Sequence, residues 1–228
     1  ASFGYRPNTK FNARIGYRQS AIDQGLPGAV ILYNQTADER LTTADQVLFG
    51  DASVNLKKLK MRVYGNANRN VLNYLDPSYL NSSGKIDVSY TNSLISGGVT
   101  FYKDLFNKLV AHGGFEQTAS ELVSSDSLFS QPVRYHSFGL LGAYYPFSFG
   151  RVSIQFSGQY VNENNRLAES ANDQFRMNPF FEYQTKLYEK HQIRHKIWYK
   201  NSFRMPSFNE LYFNNIGNKD LLPETAHQ

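Results

Sequence analysis

Apolar and polar residues alternate with a period of two through most of this chain, the pattern of strands whose two faces meet different surroundings. The cleanest run sets Phe175, Met177, Pro179, Phe181, Tyr183 and Leu187 against Gln174, Arg176, Asn178, Glu182, Gln184 and Lys186. A second sets Val152, Ile154, Phe156, Gly158 and Tyr160 against Arg151, Ser153, Gln155, Ser157 and Gln159, and a third sets Leu59, Met61, Val63, Gly65 and Ala67 against Lys60, Arg62, Tyr64, Asn66 and Asn68. Helical spacing fits none of them. The pattern predicts about ten strands, near residues 1–6, 11–18, 45–56, 59–68, 87–102, 108–117, 133–145, 151–162, 173–188 and 192–204. Most reach the roughly 9 to 11 residues that a tilted strand needs to cross a hydrocarbon layer. Glycines at Gly97, Gly98, Gly113, Gly114, Gly139 and Gly142 interrupt some of the runs, which suits a curved wall.

The connections alternate in length. Residues 7–10, 57–58, 104–107, 146–150 and 189–191 form tight turns, while 19–44, 69–86, 118–132, 163–172 and 205–228 are longer and rich in Asn, Ser, Gly, Asp and Pro. Consecutive antiparallel strands put every tight turn at one end. That arrangement belongs to an outer-membrane barrel, with short periplasmic turns and long extracellular loops. The competing fold is a soluble β-sandwich, serving binding or adhesion, with its apolar faces packed together.

Composition leaves the barrel open and closes other routes. Mean hydropathy is -0.50, and no apolar run approaches the roughly 18 residues of a membrane helix. A barrel escapes that test because only alternate residues face lipid. Aromatics make up 15% of the chain, with 16 Tyr and 17 Phe, a usage that suits strands and interfacial girdles. The chain has no cysteine, so disulfides, thiolate metal sites and cysteine nucleophiles are excluded. The net charge is +5, but the longest basic run is Lys57-Lys58, so nucleic acid is not an expected partner.

Candidate chemistry is sparse. No Gly-x-Ser-x-Gly elbow, His-Glu-x-x-His motif or phosphate-cradling loop is present, and no enzyme, cofactor or metal site is expected. His191 and His195 are four apart but fall at a turn and in a strand, not on one helical face. Arg62, Arg176, Arg194, Lys196 and Lys200 stand on the polar side of their alternations, where they face a lumen and either attract an anionic solute or pair with neighbouring carboxylates. Tyr33, Tyr79, Tyr212 and Phe213 fall in the long loops, as candidate stacking surfaces for a ligand.

The segment Phe203-Arg204-Met205-Pro206-Ser207-Phe208-Asn209-Glu210-Leu211-Tyr212 is followed by Gly217-Asn218-Lys219-Asp220-Leu221-Leu222-Pro223-Glu224. The two read Phe-Arg-x-Pro-Ser-Phe-Asn-Glu-Leu-Tyr and Gly-Asn-x-x-Leu-x-Pro-Glu, with Arg204, Pro206, Asn209, Glu210, Leu211, Tyr212, Gly217, Asn218, Pro223 and Glu224 as the motif residues. Together they resemble the signature of TonB-dependent outer-membrane receptors. The loop that begins Asp23-Gln24-Gly25-Leu26-Pro27-Gly28, with Asp38-Glu39-Arg40-Leu41 after it, and the stretch from Tyr74 to Lys85 resemble two further loops of that family. The nearest branch is the cobalamin-receptor-like one of Bacteroides-type bacteria. The resemblance implies an outer-membrane barrel of about 22 strands around a plug. It also implies energy-coupled uptake of a scarce nutrient such as cobalamin or a metal chelate, and contact with lipid and lipopolysaccharide. Coupling would come from a TonB-type protein acting through an N-terminal region. Plug, coupling box and closing strands are not recognisable here, so residues 1–228 are expected to be a middle-to-late segment of one barrel domain. A passive porin is the nearest alternative within transport.

Overall fold

A computed structural model describes residues 1–26, 38–77, 84–106, 108–126, 129–166, 173–188, 193–212, 218 and 220–228, with backbone only at 186–188, 193 and 209. Eleven strands follow one another: β1 (Ser2–Tyr5), β2 (Phe11–Gly25), β3 (Arg40–Asn55), β4 (Leu59–Asp76), β5 (Ile86–Asp104), β6 (Val110–Ser124), β7 (Pro132–Phe147), β8 (Gly150–Asn165), β9 (Gln174–Tyr188), β10 (Ile193–Arg204) and β11 (Glu224–His227). One short helix, α1 (Phe208–Tyr212), precedes β11. The strands form a single sheet in chain order, each antiparallel to the next, so the fold is all-β and up-and-down. A sandwich would need two sheets packed face to face, and the described strands make one.

The strands outrun their apolar alternation. β4 runs to Asp76 and β6 to Ser124, where the pattern predicts ends near 68 and 117. β2 and β3 likewise stay paired from Phe11–Val54 up to Gly25–Arg40. Ladder hydrogen bonds join backbone to backbone and need no apolar face, so the walls continue past the point where hydrophobicity stops marking them. β11 is an addition for a related reason: its residues Glu224–His227 carry little alternation and pair with Asn201–Arg204 through the backbone.

Register decides which side chains share a face, because directly opposite residues project the same way. Tyr17, Leu48, Ala67 and Ile95 are successive partners across β2–β5. Met61, Phe101, Gly113, Leu141, Phe156 and Pro179 continue the same side across β4–β9. This apolar face stays open: Ile95, Leu141 and Ile197 are between 62% and 66% exposed. The other face is mainly polar and sheltered, with Glu163 3%, Glu182 4% and Asn178 7% exposed. The usual relation between polarity and burial is thus inverted, as expected for a wall with lipid on one side and an enclosed lumen on the other. On β8 the apolar side runs from Val152 to Tyr160, a band roughly 20 Å high at about 3.3 Å rise per residue and about 45° tilt.

Candidate functional site

Charged residues on the sheltered face are gathered by neighbouring strands into pairs and triads. Asp51 on β3 accepts from Arg14 on β2 at 3.0 Å and lies 3.6 Å from Arg62 on β4. The Arg62 guanidinium sits 5.6 Å from the Tyr64 ring, and the Tyr64 hydroxyl donates to Glu116 on β6 at 2.6 Å. Further round, Glu182 on β9 accepts from Arg151 on β8 at 2.5 Å and from Lys196 on β10 at 2.7 Å. The ring of His112 stacks on Tyr102 at 5.9 Å and meets Tyr144 at 6.1 Å, while its Nε2 pairs with Gln155 at 3.2 Å. A pocket of about 280 Å³ opens among Tyr102, His112, Tyr144, Arg151 and Glu182. It presents the rings of Tyr102, His112 and Tyr144 beside a triad of two cations and one carboxylate, a surface suited to a polar partner.

All five basic residues named from the sequence share this polar face by register, but their company differs. Arg62 and Lys196 are paired with Asp51 and Glu182. Arg176 donates to the Phe175 carbonyl at 3.1 Å and lies 5.7 Å from the Phe203 ring. Neither Arg176, Arg194 nor Lys200 has a carboxylate partner among the described residues. Of the five, the three without such a partner lie on β9 and β10.

The motif residues near the C-terminal end form a clasp. Arg204, at the end of β10, donates to both oxygens of Glu224 at 3.0 and 3.1 Å and to Glu210 at 3.0 Å. Ser207 and Glu210 make a reciprocal cap: the Ser207 N–H donates to the Glu210 carboxylate at 2.6 Å, and the Glu210 N–H to the Ser207 hydroxyl at 3.3 Å. Together with Arg204 this cap holds the Glu210 carboxyl down at about 2, the Ser207 backbone donor contributing most. The Asn218 N–H closes back onto the Glu210 carbonyl at 2.8 Å.

α1 is pressed into the sheltered side of the wall. Leu211 and Tyr212 bury against Leu122 and Phe129, with Tyr90 and Phe208 alongside. Arg134 on β7 donates to Glu163 on β8 at 2.6 Å and to the Pro206 carbonyl at 2.8 Å, and its guanidinium lies 4.7 Å from the Phe208 ring. The Tyr212 hydroxyl donates to Glu163 as well. Tyr212, a candidate ligand platform by sequence, is thus 5% exposed and packed into the wall. Tyr33, Tyr79, Phe213 and Gly217 lie outside the described residues, as does the side chain of Asn209. Arg134 and Glu163 went unnoticed in the sequence because each is one more polar residue in an alternating strand. Their partnership exists only through the register of β7 on β8, where they stand directly opposite.

A single antiparallel wall, apolar outside and charged within, defines the fold as part of an outer-membrane β-barrel. Among solved structures the chain is similar to one described as the copper transporter OprC, with a TM-score of 0.64 and 11% identity, covering 99% of this chain and 40% of that one. At that identity the likeness is one of fold. No family model matches the chain, and no curated protein matches it by sequence.

Proposed function

We propose that this chain is part of the wall of an energy-coupled outer-membrane receptor, which binds a scarce nutrient outside the cell and admits it to the periplasm. The observation that supports this most is the inverted burial: Ile95, Leu141 and Ile197 open to the surroundings while Glu163 and Glu182 are sheltered. A transport wall needs that arrangement, and a soluble domain cannot tolerate it. The role is one of binding and passage without catalysis. The cargo class is a metal chelate, cobalamin or a similar solute; the structural neighbour is itself named for copper. The drive comes from a TonB-type protein acting on a region beyond this chain, and the outer surface meets lipid and lipopolysaccharide.

The test is uptake of labelled cobalamin and of labelled copper and iron chelates by cells with and without the full-length gene. Gene-dependent uptake that stops when the membrane potential is collapsed is the expected result. Uptake indifferent to the potential would make the protein a passive porin. Recovery of the full-length product in the aqueous fraction without detergent would overturn the reading.

A further inference from the structure

The end of the sheet that carries the tight turns is strongly and unevenly charged. Arg6 and Lys10 flank the β1–β2 turn, Lys57 and Lys58 occupy the β3–β4 turn, and Lys103 and Lys108 flank the β5–β6 turn. All six are exposed, and none enters an ion pair among the described residues. Asp104 is the one carboxylate among the described residues of these three turns. At the opposite end the balance reverses, with Asp23, Asp38, Glu39, Asp76, Asp87 and Asp126 near the long connections.

Apolar side chains interleave with these cations. Phe106 is 71% exposed, Leu56 49% and Leu105 39%. Lys103 stands on the outer face: its register partners are Leu59 and Ala111, in a row that runs on through Ala143, Ile154 and Phe181. Its stem can lie along the apolar band while its ammonium reaches the band's lower edge.

We infer that this rim binds the headgroups of anionic phospholipid in the leaflet that surrounds the tight turns. Unpaired lysines supply the attraction to phosphate, and Leu56, Leu105 and Phe106 enter the boundary between headgroup and acyl chain. An acidic protein partner is disfavoured because Lys103 stands in the apolar band's own row, where acyl chains lie. The inference rests on the reading that the apolar face meets lipid, and adds a headgroup preference at one rim.

The test uses the full-length protein in nanodiscs of equal phosphatidylglycerol and phosphatidylcholine, with native mass spectrometry of the retained lipid. Severalfold enrichment of phosphatidylglycerol is expected, fading at high salt. Replacing Lys57, Lys58, Lys103 and Lys108 together by Gln should abolish the enrichment, and replacing the same four by Arg should preserve it. Retained lipid with the composition of the bulk nanodisc overturns the inference, as does enrichment that survives the Gln variant. Cross-linking of Lys57 or Lys58 to an acidic protein in cells, without lipid enrichment, overturns it in favour of that partner. Failure to enter nanodiscs at all would instead sink the membrane reading underneath it.

Discussion

Tyr64 reaches Glu116 two strands away by lying across Gly98, its hydroxyl donating to the carboxylate at 2.6 Å. Gly98 is the direct cross-strand partner of Tyr64. The same device recurs, with Phe49 over its partner Gly16, Phe101 over Gly113, His112 over Gly142 and Phe147 over Gly150. The missing side chain lets a ring lie flat on the neighbouring strand, where a Cβ would hold it off. These glycines, which interrupt the alternation, are seats for aromatic rings.

Gly98→Ala should therefore destabilise the wall. The new Cβ would stand 2.7 Å from the Tyr64 hydroxyl and 2.8 Å from the Phe115 carbonyl oxygen, and the latter is ladder backbone that cannot move aside. A loss of about 1–3 kcal/mol is expected, read as a lower denaturant midpoint for the full-length protein in detergent. Gly158→Ala meets nothing nearer than Phe175 at 3.9 Å and should stay within about 0.5 kcal/mol of the parent.

Arg134→Ala should release α1. It leaves Glu163, whose side chain is 1% exposed, with a hydroxyl in place of a guanidinium, and it frees the Pro206 carbonyl. Stranding a buried carboxylate in this way costs about 3–5 kcal/mol, confined here to the docking of residues 206–212. Hydrogen exchange in that segment should rise while the β7–β8 ladder stays protected. Arg134→Lys keeps the charge but loses the fork and should fall between the two.

Acid should open the clasp on Arg204. A carboxyl held at about 2 when folded, against an ordinary 4.5, contributes its full stabilisation above the ordinary value. That contribution is lost as the pH falls from about 4.5 toward about 2. Proteolysis within residues 205–223 by an acid-active protease should accelerate through this window. Glu210→Gln should already be cleaved readily at about pH 4.5, the top of this window, and show little further change on acidification.

Arginine should discriminate the two faces. Phe156→Arg places a cation in the middle of the apolar band and should cost about 2–4 kcal/mol in refolding into lipid vesicles. Gln159→Arg, on the opposite face of the same strand, should insert normally. Equal penalties would mean that the apolar face is not the one in lipid.

Much of the wall was legible because a strand between lipid and lumen must alternate, as β4 does from Leu59 to Ala67 and β8 from Val152 to Tyr160. The legibility ended where that demand ended. Thr42–Ala44 and Val71–Tyr74 are paired with each other through the backbone ladder of β3 and β4, which leaves no mark in the sequence, so they read as loop. The motif from Arg204 to Glu224 was visible as a string, but its work as a clasp depends on a bidentate contact across β10 and β11. Parity assigns Arg62 and Lys196 to the polar side of their strands, but it does not show the carboxylates they pair with, Asp51 and Glu182, which come from neighbouring strands.

Local chain chemistry by itself determined the strands, their two faces and the alternation of tight and long connections, since side-chain parity and turn residues act within a few positions. Pairing across strands decided the rest. It set Glu182 between Arg151 and Lys196, and brought Arg134 to Glu163 beneath α1. It also gathered Lys10, Lys57 and Lys108 from distant turns onto one rim. Charge acts through space, so residues scattered along the chain acquire a common field only when the register brings them side by side.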